Sequence, residues 1–285
     1  MRLLQYTLVI AVGLGVVNAA CAQEKKRRLL VIGQSKGYEH DSISTAMATL
    51  YNIGRRSHQW ETFFRTDCAA ITKKPRKWGA KNLDSFDDVA FFTDGDLDMD
   101  ETQKADLLSF VRDDGKGFIG IHSAAITFLS WSDYGKMLGG YFDGHPWGEF
   151  KAPLVVEDPT FPGMTHLAGN FTLHDEIYQI KDFSRDNVRV LLRLDADKID
   201  LARKGVHRKD KDFAVIWARK YGKGRVLYNG LGHREDVWER ADIQKMWLDM
   251  VRWSMGDLPG DASPRPAPAK QRSRAIRGEG PRSPG

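Results

Sequence analysis

Apolar residues in this chain follow two rhythms. Short unbroken runs, Leu29-Leu30-Val31-Ile32, Trp60 to Phe64, Val89 to Phe92 and Gly117 to Ile121, read as buried strands. Between them, residues 42–56 and 100–113 read as helices; Ala105, Leu107, Leu108 and Val111 keep roughly helical spacing, and acidic residues enrich the first turn of the second. Strand and helix signals alternate, which predicts a parallel sheet with helices on both faces. Further on, Phe213 to Trp217 and Gly224 to Tyr228 flank Lys220-Tyr221-Gly222-Lys223, a hairpin signal. Ile243, Met246, Trp247, Met250 and Val251 then mark a closing amphipathic helix. The expected fold class is α/β, a three-layer, doubly wound, mostly parallel sheet.

The ends differ from this body. Arg2, an apolar run from Leu3 to Val17 and Ala20-Cys21-Ala22 have the order of a secretory signal peptide, with processing expected before Gln23. The run is shorter than the roughly 20 residues a membrane span needs. Lipid attachment at Cys21 is the alternative form of processing. From 258 to 285 Pro, Arg, Ser and Gly dominate, and the segment is expected to be disordered. One domain, residues 23–257, is left, and the protein is expected to be periplasmic or secreted.

Charge needs the same division. The formal net charge is +5, yet the body between Leu29 and Gly256 holds 32 basic and 34 acidic groups. The basic surplus belongs to the ends, so the body lacks the footprint of a nucleic-acid binder. After processing, Cys68 is the one cysteine left, which excludes an internal disulfide and a thiolate-rich zinc site.

Polar clusters sit where predicted strands stop. Ligands of open α/β sheets lie at the carboxyl ends of strands. The Gly117–Ile121 run ends there in His122-Ser123-Ala124, a layout like a nucleophile elbow with His in the central position. Gly37-Tyr38-Glu39-His40-Asp41-Ser42 follows the first strand, where Asp41 or Ser42 could serve only as a helix cap. Gly139 to Trp147 is a glycine-rich loop carrying His145, whose aromatics could bind a sugar face or fill the core. His174-Asp175-Glu176-Ile177-Tyr178 and Leu231-Gly232-His233 add carboxylates and another imidazole, able to serve as bases or metal ligands. No H-E-x-x-H or C-x-x-C spacing is present.

Taken together, GYEHDSI at 37–43, GFIGIHSA at 117–124, LGGYFDGHPW at 138–147, LHDEIY at 173–178 and VIWARKYGKGRVLYNGLGH at 215–233 resemble the trehalose-utilisation (ThuA-like) family. The resemblance implies a class I glutamine-amidotransferase-like fold and a sugar-utilisation context. Amidotransferase relatives use a Cys at the elbow; His122 stands there in this chain, so thioester-forming glutaminase chemistry is excluded.

The resulting expectation is a sugar-processing enzyme acting on a glycoside or a 3-keto sugar by acid/base or metal-assisted chemistry. His122, Glu176 and His233 are the candidate catalytic residues. His40, Asp41, His145, Trp147, Asp175 and Tyr178 are the candidate substrate contacts. A divalent metal and a homo-oligomer are both left open, and the expected partner is a small carbohydrate. The rival reading is a non-catalytic carbohydrate-binding or oligomerisation module. The enzyme reading requires His122, His145, Glu176 and His233 to share one pocket. The export signal predicts a mature chain beginning at Gln23; mass spectrometry of the native protein showing an intact Met1 or a lipidated Cys21 would overturn it.

Overall fold

The computed structural model describes residues 26–167 and 169–267, so the expected export signal lies outside the described residues. In chain order the first elements are β1 (Arg27–Ile32), α1 (Ser42–Ser57), β2 (Trp60–Arg65), β3 (Asp88–Phe91), α2 (Glu101–Arg112), β4 (Gly117–Ile121) and α3 (Ser132–Leu138). There follow β5 (Tyr141–Phe142), β6 (Glu149–Val156), β7 (Asn170–Glu176), β8 (Ile180–Lys181) and β9 (Arg189–Leu194). The chain closes with β10 (Ala214–Tyr221), β11 (Gly224–Asn229), α4 (Glu235–Glu239) and α5 (Ala241–Ser254).

Nine strands form one sheet in the order β2-β1-β3-β4-β11-β10-β9-β6-β7. The pairings from β2 to β11 are parallel, and those from β11 to β7 are antiparallel. Following these directions, only β10 and β6 oppose the others, so seven strands run the same way. Strand alternation divides the core. Leu29 and Val31 of β1 enter one apolar layer, Leu30 and Ile32 the other. α1 and α5 cover the first layer with Ile43, Leu50, Ile243, Met246 and Trp247. α2 and α3 cover the second with Leu107, Phe110, Tyr134 and Met137. This is the three-layer, doubly wound architecture that the hydrophobic pattern predicts.

Local signals explain the element ends. Asp100 accepts the Gln103 amide at 2.8 Å, while the Gln103 side chain accepts the Asp100 amide, closing a capping box on α2. β10 and β11 form the expected hairpin, with Tyr221 opposite Gly224. Cys68 is buried against Gln34, and burial pushes its thiol up to about 12, so it is an inert core residue.

Two long-range features were not visible in the pattern. In sheet order β7 lies four strands from β11, about 19 Å at the usual strand spacing. Yet the Asp175 carboxylate accepts the Gly232 amide at 2.7 Å, so the β6–β7 ribbon folds back over the end of β11. The expectation of disorder from 258 onward also fails for residues 258–267. Ala262 is buried, Gly260 accepts the Trp253 indole N–H, Asp261 pairs with Arg189, and Arg265 donates to the Glu157 carbonyl. The segment docks through hydrogen bonds and charge, which a count of apolar residues overlooks. Residues 268–285 lie outside the described residues.

Asp88, at the start of β3, is fully buried, with one oxygen on the Ser254 hydroxyl of α5 and the other without a partner. Burial drives its pKa well above the usual carboxylate range, and neighbouring Asp87 adds to the rise. The folded protein therefore keeps a proton that the unfolded chain releases near pH 4. Asp88's contribution to stability is intact below that pH and is lost as pH rises towards the folded-state value. Asp88→Asn should remove that loss, gaining about 1 kcal/mol or more at pH 8 and less near pH 4. Urea unfolding at both pH values checks this; an equal loss of stability at both would refute it.

Candidate functional site

Because seven strands share a direction, β1, β3, β4, β7 and β11 all release their following residues at one edge of the sheet. At that edge β4 passes into a short 3-10 turn, His122–Ile126. His122 itself has φ +41°, a conformation that costs a non-glycine residue roughly 1–3 kcal/mol. Two contacts hold it there: the Tyr228 hydroxyl donates to its carbonyl at 2.9 Å, and its Nδ1 lies 2.9 Å from the Gly230 carbonyl. A carbonyl only accepts, so Nδ1 carries a proton, and Nε2 is the ring nitrogen left facing the cluster. The elbow is formed as the sequence suggested, and what it presents is an imidazole nitrogen.

Four side chains meet at this nitrogen. Glu176, the last residue of β7, places Oε2 3.6 Å from His122 Nε2 and 3.2 Å from His233 Nδ1. His40 completes the group, its ring centroid 4.9 Å from that of His122 and 5.1 Å from that of His233. One potential ligand atom from each of His40, His122, Glu176 and His233 lies within 4.8 Å of all the others. His145 contacts the second Glu176 oxygen at 3.0 Å, and Tyr178 stacks on His122 with centroids 4.2 Å apart.

Burial and charge polarise the cluster. Burial, then the neighbouring His122 and His233, lower the His40 pKa to about 3, so that ring is neutral. Burial alone would raise Glu176, but the surrounding imidazoles outweigh it and hold the carboxylate ionised well below its usual range. Contact with Glu176 raises His233. Above the cluster opens a cavity of about 600 Å³ lined by Tyr38, Phe142, Tyr178, Asp94 and Glu149 together with His40, His145, Glu176 and His233. It combines aromatic faces with a few convergent polar groups, as small-molecule sites do.

All three candidate catalytic residues are brought together, and His40, His145 and Tyr178 join them. His40 stands in the inner cluster itself. His122 and His233 have ring centroids 5.3 Å apart; His145, Glu176 and His233 line the cavity, and His122 lies buried behind them. Three candidates do not reach the cavity. Trp147 is buried in the core against Phe150 and Phe213, its indole N–H on the Asp200 carbonyl. Asp175 points to the opposite side from Glu176 and accepts the Gly232 and Arg234 amides, pinning the loop that carries His233. Asp41 is exposed, caps nothing with its side chain, and stands on the rim of an adjoining acidic hollow of about 450 Å³.

Gly139 and Gly140, read from sequence as allowing backbone to approach a ligand, instead make room for protein. A Cβ on the first would meet the Trp217 indole at 2.7 Å, and on the second Ile180 at 2.5 Å. Sequence reasoning missed Asp94 and Glu149. Asp94 follows β3 at the productive edge, a signal that was available. It accepts the Tyr38 amide at 3.1 Å where a side chain on Gly37 would intrude at 2.1 Å. Glu149 opens β6, which runs the other way, so nothing local marked it.

The fold and this carboxyl-edge site define an amidotransferase-like α/β protein with an imidazole at the elbow. The chain belongs to the trehalose-utilisation (ThuA) family, whose model matches residues 28–254. Among solved structures it is similar to a ThuA-like protein from Bacteroides uniformis, with 18% identity and a TM-score of 0.65 over 81% of this chain and 92% of the other. A ThuA-like protein from Parabacteroides merdae has 16% identity and a TM-score of 0.62 over 85% and 98%. A cytoplasmic protein from Salmonella typhimurium has 12% identity and a TM-score of 0.52 over 80% and 98%. At these identities the likeness concerns the fold. A sequence search of curated proteins finds no match.

The pin at Asp175 can be tested apart from the chemistry. Asp175→Ala leaves the buried Gly232 amide and the part-buried Arg234 amide without acceptors and should cost about 1–3 kcal/mol of stability. Thermal unfolding measures the cost, and a crystal structure should show His233 displaced; an unchanged melting point would remove the pinning role.

Proposed function

We propose that this protein is an exported sugar-processing enzyme that acts on a glycoside or a 3-keto sugar derivative in the cavity above Glu176. The observation that carries the reading is the convergence of His40, His122, Glu176 and His233, delivered by four separate segments of the chain, with His40, Glu176 and His233 lining one cavity and His122 buried behind them. Membership of the trehalose-utilisation family supports a sugar as the ligand, and the aromatic faces of Tyr38, Phe142 and Tyr178 suit the apolar face of a pyranose. The polar floor suits departure of a glycosidic oxygen or removal of a proton beside a keto group, by acid/base or metal-assisted chemistry. The export reading rests on the signal-peptide-like order of Arg2, the Leu3–Val17 apolar run and Ala20-Cys21-Ala22. Among the described residues no helix is long and apolar enough to cross a membrane.

The test is a screen of the full chain against glycosides and their 3-keto derivatives, with products followed by mass spectrometry. Glu176→Gln and His122→Gln should each lower kcat by about 100-fold or more, with circular dichroism unchanged. No turnover by the wild type across the panel, or an unimpaired Glu176→Gln, would overturn the assignment.

A further inference from the structure

The interior of the His40–His122–Glu176–His233 cluster poses a hydrogen-bonding problem. His122 Nε2 and His233 Nδ1 are buried and, among the described residues, have no partner in hydrogen-bonding geometry, although both lie near the same Glu176 oxygen. His40 likewise keeps Nδ1 buried without a partner. Buried polar atoms are ordinarily satisfied, so three unpartnered imidazole nitrogens in one four-residue cluster, two of them against the same carboxylate, need a physical reason. Water would have to reach the floor and donate several hydrogens at once. A cation satisfies the inward lone pairs and the carboxylate together.

We infer that His40, His122, Glu176 and His233 bind one divalent transition-metal ion, of the zinc, manganese or iron(II) class, open to the cavity. Metal–nitrogen and metal–oxygen bonds of about 2.0–2.2 Å place ligand atoms roughly 3.4 Å apart in a tetrahedron and about 4.2 Å apart across an octahedron. From the observed ceiling of 4.8 Å the widest pair must close by about 0.6 Å to span an octahedron and by about 1.4 Å to form a tetrahedral edge, shared between two side chains. An imidazole-rich set with one carboxylate selects first-row transition metals over magnesium or calcium, which prefer all-oxygen sites.

The outer atoms of these groups are arranged as metal ligands require. His122 donates Nδ1–H to the Gly230 carbonyl, which fixes Nε2 as the coordinating atom. His233 Nε2 lies 3.4 Å from Glu149 Oε1, His40 Nε2 lies 3.4 Å from the Tyr178 hydroxyl, and Glu176 Oε1 lies 3.0 Å from His145 Nδ1. Each ligand therefore has an outer contact that orients it. The cavity borders His40, Glu176 and His233, so a substrate oxygen or water can take a remaining coordination position. The sugar-processing reading enters only in what the ion would act on; binding itself is a separate claim.

The full chain, stripped with chelator and dialysed, is titrated with cobalt(II) and followed by visible absorption, with elemental analysis of the protein as purified. One cobalt per chain is expected, displaced by zinc, and zinc should raise the melting temperature. His122→Gln and Glu176→Gln should each weaken cobalt binding by about 100-fold, whereas His174→Gln, on an exposed face of β7, should leave it unchanged. A folded wild type that shows no saturable cobalt or zinc binding up to about 1 mM overturns the inference. So does binding that Glu176→Gln leaves intact. Sugar turnover by a protein that shows no saturable cobalt or zinc binding defeats the metal centre and spares the enzyme reading. Stoichiometric metal without turnover of any sugar upholds the metal centre and defeats that reading.

Discussion

Two adjacent carboxylates at the end of β7 organise the whole functional edge. Strand alternation turns Asp175 and Glu176 to opposite sides. Asp175 takes the amides of Gly232 and Arg234, and Glu176 faces His122, His145 and His233. One residue fixes the position of the loop, and the next supplies the charge that the loop's imidazole meets. Both depend on the β6–β7 ribbon folding back across the sheet. Were it to continue flat, Glu176 would lie some four strand spacings, about 19 Å, from the group it serves.

Against that ribbon stands the elbow. β4 is at the centre of the sheet, paired on both sides, and its last backbone groups have little freedom. The strain at His122 is sustained because Tyr228 and Gly230, from the adjacent β11 segment, fix its carbonyl and its ring. In a thiol enzyme this geometry would expose a nucleophile. Here the imidazole is fully buried, with Nδ1 occupied and Nε2 aimed at a carboxylate, an arrangement suited to moving protons or coordinating a cation and unsuited to forming a thioester.

The adjoining hollows give the edge a second character. The larger is aromatic on one wall and polar on its floor, while the smaller carries Asp41, Glu235, Asp236 and Glu239 around Arg234. Tyr38, His40, Glu149 and His233 border both. The inner cluster thus sits where the two spaces meet, and Glu149, which sequence alone did not single out, is part of the boundary.

The sequence determined the layers and most of the site's membership. Unbroken apolar runs and 3.6-residue stripes are local properties, so β1, β3, β4, the β10–β11 hairpin and α5 were legible. His122, His233 and His40 were legible as well, because each lies in the segment that follows a strand of shared direction. Only the tertiary structure decided where side chains after those points turn. Trp147 lies in a loop beside His145, yet an apolar space next to Phe213 takes it inward. Asp175 and Glu176 are alike in local sequence, and their roles separate only because a ribbon more than 50 residues from the His233 loop folds onto it. The docking of residues 258–267 has the same origin, since its partners Arg189 and Glu157 are distant in sequence. Hydrophobic periodicity encodes which face of an element is buried. It does not encode which distant backbone amide or charge will meet a polar side chain, because that depends on how the elements pack.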